Sequence, residues 1–453
     1  MRSWRNGRRI GYLPALNDPS YLACAHAERL LAALNQSARV SITPLHPALA
    51  WCRAGLDLLT GESDGPPLVA PIPLAALADG ALAALRVVAP EADLPSSGAL
   101  LLGERARLMG LTRQGEVSAN GTCRLLKAKG GRIAINIPRS DDLELLPALF
   151  KESGANLQTL ARHVAERDRD ALVAQGRLLG LAISADEDCP PPQDPFAIVP
   201  GGGQTAPCKA ERPLVIDLSS LWAGPLAGSL LAAAGAVVVK VESPLRPDGA
   251  RMGHAGFFDL LNAEKRCVAL RLTDSQDLQM LHGLIARADI VIESSRPRAL
   301  QQIGLDARRL AASGKTWLSI TAYGRQGEAA DWIGFGDDAA IAGGLGRAME
   351  RAFGRSMFAG DAIADPLAGI TGALAALAVW RSGMGGLIDI SLCGVIAHAC
   401  AHHEATADEI AAWQTLAAAD REALFSLRKA AGRARAVGAD NGMLHDLIGA
   451  QRS

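Results

Sequence analysis

From residue 213 onward the chain alternates short apolar runs with longer small-residue or amphipathic stretches. LVIDL (214–218) reads as a buried strand and PLAGSLLAAAG (225–235) as a helix of small residues. AVVVKVE (236–242), CVALRL (267–272), DIVIES (289–294) and TWLSITAYG (316–324) read as further strands, with a helix over 277–288 between the second and third of these. Strands that are apolar on both faces and separated by helices need cover on both sides. The pattern therefore predicts an α/β fold, a doubly wound parallel sheet. Upstream, NGTCRLLKAKGGRIAINIPRSDDLELLPAL (120–149) predicts two strands about a KGGR turn and then a helix capped near Ser140 or Asp141, a small α+β unit.

Pro and Gly dominate DEDCPPPQDPFAIVPGGGQTAPCKAERP (186–213), which marks a linker between the two units. Its GGGQ stretch (201–204) could also serve as an active-site lid, but reads first as flexible chain. An internal echo joins the two halves: 48–88 and 339–380 each run helix, glycine turn, polar loop, proline and a helix containing GALAAL. With the GALAAL segments superposed, Asp365 of the second copy falls opposite Pro73 of the first, so the first copy lacks that carboxylate.

A chain of 453 residues exceeds what one core usually serves, so two or more domains are expected. A formal net charge of −1 without basic runs gives no electrostatic reason for nucleic acid or an anionic membrane as partner. The eight cysteines include no CxxC pair and read as free thiols of a reducing compartment, hence a cytoplasmic protein. The opening MRSWRNGRRIGYLPALNDPS is basic but has no apolar core before Asn17 and Asp18; a signal peptide is not expected, and an organelle leader is the lesser reading. The uncharged run 218–239 is long enough to span a bilayer, yet Gly224, Pro225, Gly228 and Gly235 break it into strand, loop, helix, turn and strand.

Chemistry centres on ADPLAGITGALAALAVWR (364–381). Asp followed by Pro and an apolar helix predicts a cap, with aspartate at N-cap and proline at N1. A carboxylate at a helix start is also held ionised and is a competent nucleophile, so both roles stay open. Other candidates read as structural. The loop after LVIDL has Gly224 and Gly228 but no GxGxxG for a dinucleotide. His398, His402, His403 and Glu404 in HACAHHE lack an HExxH pattern and a third ligand nearby. Cys393 has no neighbouring base, and Ser219 and Ser220 sit in no GxSxG elbow.

Taken together, VIDLSSLWAGPLAGSLLAAAGAVVVKVE, FFDLLNAEKRCVALRL, ADIVIESSRPRALQQIGLD, LSITAYGRQG, ADPLAG and ALAALAVWRSGMGGLIDISL resemble the class III coenzyme A transferases. These include formyl-CoA transferase, carnitine CoA-transferase and α-methylacyl-CoA racemase. The resemblance runs from about residue 213 to 395, with a weaker echo in AVGADNGMLHDLIG near the C-terminus. It implies a Rossmann-like large domain and a small α+β domain. It also implies CoA transfer from an acyl-CoA donor to a carboxylic acid through a covalent aspartyl intermediate. The family's Asp-x-x-x-Gly motif maps to Asp365 and Gly369; Asp361 has Asp365, not glycine, four residues on. The same resemblance implies CoA contacts at Trp222, Ala223, Lys265, Arg266, Ser294 and Tyr323, with CoA or acyl-CoA as substrate and neither a permanent cofactor nor a metal.

Departures refine the expectation. Ser294 stands where the family has asparagine, and the following turn is Arg296-Pro297-Arg298. Ser243 follows the acid of the second strand, where a basic residue is common. Asp337 in FGDDAA replaces the histidine of the racemase branch, which favours transfer over α-proton exchange. The layout is also unusual, because the small unit precedes the large domain. The expected organisation is a degenerate large-domain-like helical region (1–110), a small α+β domain (111–186), a linker (187–212), the CoA-transferase large domain (213–400) and a helical tail (401–453), as in a fused tandem. It would assemble as a homodimer or satisfy the same contacts as an intramolecular pseudo-dimer. The remaining alternatives are a CoA-ester racemase or isomerase and a CoA-ester-binding protein without catalysis.

Overall fold

The computed structural model describes residues 21–40, 42–43, 45–186, 189–202, 212–420 and 423–449; the basic opening segment, Cys208 and Gly203–Gln204 of the GGGQ stretch lie outside them. β1 (Cys123–Ala128), β2 (Gly131–Asn136) and β3 (Ala182–Ala185) form an antiparallel sheet in that order. The KGGR turn joins β1 to β2, pairing Ala128 with Gly131. The next helix (Ser140–Glu144) starts on Arg139, whose backbone N–H donates to Asp142, so Ser140 and Asp141 are inside it and not its cap.

Seven strands make the second sheet: β4 (Ala197–Pro200), β5 (Leu214–Asp217), β6 (Val237–Glu242), β7 (Arg266–Ala269), β8 (Ile290–Glu293), β9 (Thr316–Thr321) and β10 (Gly386–Ser391). Their order is β4-β10-β9-β8-β5-β6-β7. All neighbours are parallel except the β4–β10 pair. From β5 the chain winds one way through β6 and β7, then returns to the other side through β8, β9 and β10. This doubly wound arrangement opens a crevice between β5 and β8 at their C-terminal ends. There Ser294, one residue past β8, accepts a hydrogen bond from Ser220 N at 3.2 Å.

β4 comes from the Pro/Gly-rich stretch expected to be a linker. AIVP can pair because an antiparallel edge strand needs only one partner, and the prolines lie before or at the end of the four paired residues. Gly201 and Gly202 follow at the N-terminal edge of β10, donating to Gly385 O and Ala312 O. That edge is opposite the crevice, so these two glycines do not cover it.

The N-terminal helices do not stand apart from the sheet. The helix Leu74–Val88 packs on Leu22–Ala33 on one side and on Ala364–Arg381 on the other, and Ala364–Arg381 packs in turn on Ala223–Ala233. A single apolar cluster runs from Ala27 through Ala106 to Ala417 and takes in Leu318, Ile320, Ile388 and Ile390 of the sheet. The two GALAAL helices thus lie against each other. Their small residues permit close packing: a Cβ on Gly80 would fall 2.5 Å from Ala23 O, and one on Gly369 would fall 2.6 Å from Ala223 O. The tail then returns across both halves, with Arg428 paired to the buried Glu104 and Asp440 accepting from Cys267 N at 2.8 Å. Among the described residues no helix is long and apolar enough to cross a membrane.

The HACAHHE histidines lie on the helix Leu392–His403, and a residue from the N-terminal half joins them. His26 sits with ring centroids 6.1 Å from His403, while His398 and His402 are 4.5 Å apart. Among the described residues no group of three or more His, Cys, Asp or Glu is placed to hold a metal. Burial, aided by His403 and His398, pulls the His26 imidazole down to about 3, and burial pulls His403 down to about 4. Both are therefore neutral in the fold, and in the unfolded chain they take up protons below the ordinary histidine value of 6.5. Their contribution to stability falls as pH drops from about 6.5 towards 4. The wild type is expected to lose stability relative to His26→Leu over that window; a pH-independent difference by calorimetry would refute this.

Candidate active site

The helix carrying ADPLAG begins at Ala364, one residue before Asp365, with Ile363 at N-cap and no side-chain cap. Asp365 is the second helical residue and Pro366 the third, so the expected cap role is corrected. The carboxylate does not fold back on its own helix. It instead meets backbone N–H groups of Gly336 and Ala223, which open the helices Gly336–Ala342 and Ala223–Ala233. Two positive helix ends thus converge on one carboxylate.

The glycines of the motif explain the convergence. Gly369 lies one turn beyond Asp365 on the face that touches Ala223 O, which lets the neighbouring helix start come close enough to reach Asp365. Gly336 is tighter still: a Cβ there would lie 2.3 Å from Asp365 Oδ2 and 2.4 Å from Ala362 O.

Three further aspartates surround Asp365. Asp337, Asp338 and Asp361 are 4%, 0% and 0% exposed, whereas Asp365 is only partly buried; of the four it is the one that is not fully enclosed. Asp361 accepts both Nε and Nη2 of Arg105, at 2.7 and 2.6 Å. Asp337 accepts from Ala362 N at 2.8 Å and Asn120 Nδ2 at 3.3 Å. Asp338 accepts from Asn136 Nδ2 (3.0 Å), Phe335 N (2.9 Å) and the Tyr323 hydroxyl (3.0 Å). The small α+β unit, through Asn120 and Asn136, is therefore part of the wall of this site.

Backbone strain marks the same place. Ala362 has φ +42° and Leu221 has φ +71°, left-handed values that cost non-glycine residues about 1 kcal/mol or more. Ala362 is clamped from both sides, its N–H on Asp337 and its carbonyl taking Asp365 N at 2.9 Å. Leu221 N donates to Asp248 Oδ1 at 2.9 Å. Ala362 thus precedes the helix that carries Asp365, and Leu221 precedes a helix start that faces it.

Burial, opposed by Arg105 and the Gly336 N–H, raises the Asp365 carboxyl to about 7. Burial and the Asp361 charge raise Asp337 to about 7, and burial raises Asp338 to about 6. The folded values exceed the unfolded ones, so stability present below about pH 3.8 is lost as pH rises towards about 7. Asp365→Asn is accordingly expected to gain melting temperature over the wild type by an amount that widens from about pH 4 to about 7 and is constant above. A constant difference across that range would contradict the raised Asp365.

The residues expected to contact CoA are divided by the structure. Trp222 and Ala223 sit at the helix start beside Asp365, and Trp222 is 2% exposed, its ring edge-on to Phe257 at 5.1 Å. Tyr323 adjoins Asp338 and packs its ring on Trp332 at 5.6 Å. Ser294 lies at the crevice. Lys265 does not face it: the side chain is 1% exposed, and its ammonium contacts Asp217 Oδ2 and Pro225 O, both at 2.8 Å. With Lys240 and Asp248 it forms a buried network beneath the Leu218–Trp222 loop. Although burial opposes it, Lys265 and Lys240 hold the Asp217 carboxyl below its usual range. Arg266 is turned to the tail, 3.6 Å from Asp440. Cys393 is buried at a helix start with its sulfur 2.7 Å from that of Cys189.

A hollow of about 880 Å³ opens on the same edge of the sheet, lined by Arg177, Arg296, Arg298, Glu328, Asp331 and Trp332. Arg177, from the small α+β unit, lies over the Trp332 ring at 3.5 Å. Arg296 and Arg298 are the residues of the turn after β8. Asp170 lines it too, so its three arginines are matched by three carboxylates, and the contact chain Arg177–Trp332–Tyr323–Asp338 connects the hollow to the aspartates.

Residues 213–423 match the model of CoA-transferase family III. The chain is 32% identical over 200 residues to the succinate–glutarate CoA-transferase of Agrobacterium fabrum, covering 40% of this chain and 50% of that protein. It is also 32% identical over 199 residues to the succinyl-CoA–D-citramalate CoA-transferase of Chloroflexus aurantiacus, covering 40% and 49%. A CAIB/BAIF family protein from Brucella suis matches in structure at 28% identity, with 41% of this chain, 53% of that one and a TM-score of 0.37. Residues 213–423, a little under half of the chain, are thus similar to CoA-transferase family III, and the chain spans about half the length of the curated relatives it matches.

Proposed function

We propose that this protein transfers coenzyme A between an acyl-CoA and a carboxylic acid through covalent chemistry on Asp365. The observation that carries the reading is the partial exposure of Asp365, alone among four clustered aspartates, at the meeting of two helix N-termini. A carboxylate raised to about 7 is both ionised in useful amount at neutral pH and a better nucleophile than an ordinary one.

In this reading an Asp365 oxygen attacks the thioester carbonyl, and the C–S bond breaks to give a mixed anhydride and CoA thiolate. The thiolate attacks the Asp365 carbonyl, releasing the first acid as its carboxylate and leaving an aspartyl-CoA thioester. The acceptor carboxylate attacks that thioester, and the thiolate expelled then attacks the acceptor's acyl carbon, restoring Asp365. No net proton is taken up or released. N–H groups at the two helix starts are suitably oriented to support negative charge developing on oxygen. Arg177, Arg296 and Arg298 supply the cations that a phosphate-bearing CoA needs, in a hollow of suitable size. The N-terminal half then takes the part of a second subunit within one chain.

Racemisation by two carboxylates is less well supported, because Asp337, the aligned second base, is 4% exposed and both its oxygens accept hydrogen bonds. The test is incubation with a panel of acyl-CoAs plus hydroxylamine, followed by peptide mapping. A hydroxamate on Asp365 is expected. CoA binding without any adduct, or solvent-deuterium uptake at the α-carbon in its place, would overturn the proposal.

A further inference from the structure

The N-terminal half meets the aspartate site through one charged side chain. The helix Gly98–Met109 is fixed by backbone approach: a Cβ on Gly98 would fall 2.1 Å from Ala78 O, and one on Gly103 2.1 Å from Ala54 O. Its flanking charges are turned away from the cleft. Glu104 pairs with Arg428, and Arg107 Nη1 donates to Phe425 O at 2.7 Å. Arg105 instead projects across the chain to the site. Two of its nitrogens are on Asp361, its guanidinium lies 4.9 Å from the Trp222 ring centroid, and its Nη1 has no acceptor among the described residues. The side chain is 20% exposed and that of Asp361 is 0% exposed.

The charged groups around Asp365 can be enumerated from each packed element. Helix Gly336–Ala342 brings Asp337 and Asp338, the turn before the Asp365 helix brings Asp361, and helix Ala223–Ala233 brings none. Tyr323 stands behind Asp338, and Cys393 faces Tyr323. Against these carboxyls Arg105 is the cation whose charge reaches Asp361, Asp337 and Asp365 together.

We propose that Arg105 is the positioning residue for Asp365: anchored on Asp361 and laid on Trp222, its guanidinium provides the positive charge that keeps Asp365 ionised. The proposal rests on the reading of Asp365 as nucleophile and assigns the N-terminal half a direct part in the site. Without that cation, burial and the neighbouring carboxyls act unopposed and Asp365 holds its proton to higher pH. The rate would then fall near neutrality and recover in alkali.

The experiment compares the full-length wild type with Arg105→Gln, Arg105→Lys and Asp361→Asn. The first readout is the pH midpoint for carbodiimide and amine labelling of Asp365, separated from residue 361 by fragment mapping. The second is the pH profile of transfer from an acyl-CoA. Arg105→Gln should raise the labelling midpoint by about one unit or more. Arg105→Lys should stay near the wild type, and Asp361→Asn should lower the midpoint. The acid limb of the rate profile should move with the midpoint. An unchanged midpoint in Arg105→Gln, or a rate lost equally at every pH, would overturn the proposal. If Arg105→Gln does not fold, the contrasting midpoints of the other two variants decide. A wild type that transfers nothing would sink the transferase reading alone, since the labelling midpoints still report on Arg105.

Discussion

Asp365→Asn is expected to abolish acyl transfer, lowering kcat by about 10³-fold or more, as loss of a covalent nucleophile does. The amide matches the carboxylate in shape and can still face the Gly336 and Ala223 N–H groups, so the fold should persist. What it lacks is the anionic oxygen that the proposed reaction turns on the thioester. Acyl-CoA binding measured by calorimetry should remain within a few-fold, because the arginines of the hollow are separate residues. The hydroxamate on this peptide should vanish. A variant that keeps more than a tenth of the wild-type turnover would rule out Asp365 as the covalent group. Asp361→Asn offers the contrast: that carboxylate is fully buried on Arg105, so the variant should keep its hydroxamate.

Gly336→Ala should be nearly as damaging for a different reason. The new methyl would lie 2.3 Å from Asp365 Oδ2 and 2.4 Å from Ala362 O, and Ala362 is already strained at φ +42°. Neither backbone nor carboxylate can yield without moving Asp365, the proposed nucleophile, and a displacement of about 1 Å costs on the order of 10²-fold in rate. Overpacking should also remove about 1–3 kcal/mol of stability. Gly154→Ala is the control, since nothing lies within 4 Å of a Cβ there. The measurements are kcat and melting temperature for both variants. A fully active Gly336→Ala would mean that the helix start at Gly336 does not position Asp365.

The two variants probe what was legible in the sequence to different degrees. Asp365 could be singled out from ADPLAG through the family resemblance, but its local context pointed first to a helix cap. Only the packed structure shows it at the second helical position, facing two other helix starts. Asp361 and Asp365 are chemically alike in sequence; burial separates them, one ion-paired and one open. Lys265 shows the reverse failure. An exposed lysine and a buried one look the same in NAEKRC, and the ion pair with Asp217 across 48 residues removes it from any phosphate. Asn120, Asn136 and Arg105 carried no local signal at all, since their partners lie 217, 202 and 256 residues away.

By itself the sequence determined most of the sheet. Its strands are apolar on both faces, and such runs can be buried only between helices, so β5 to β9 were readable as a parallel, doubly wound set. The Ala- and Gly-rich runs also announced helices packed close together, because close approach needs small side chains. Tertiary structure alone decided that AIVP in the Pro/Gly stretch becomes an edge strand, since pairing depends on β10 being there to accept it. It alone decided that the two GALAAL helices share one core, and which carboxylate among four meets solvent. Those outcomes depend on burial and on electrostatic fields summed over residues far apart in the chain, which no local window of sequence contains.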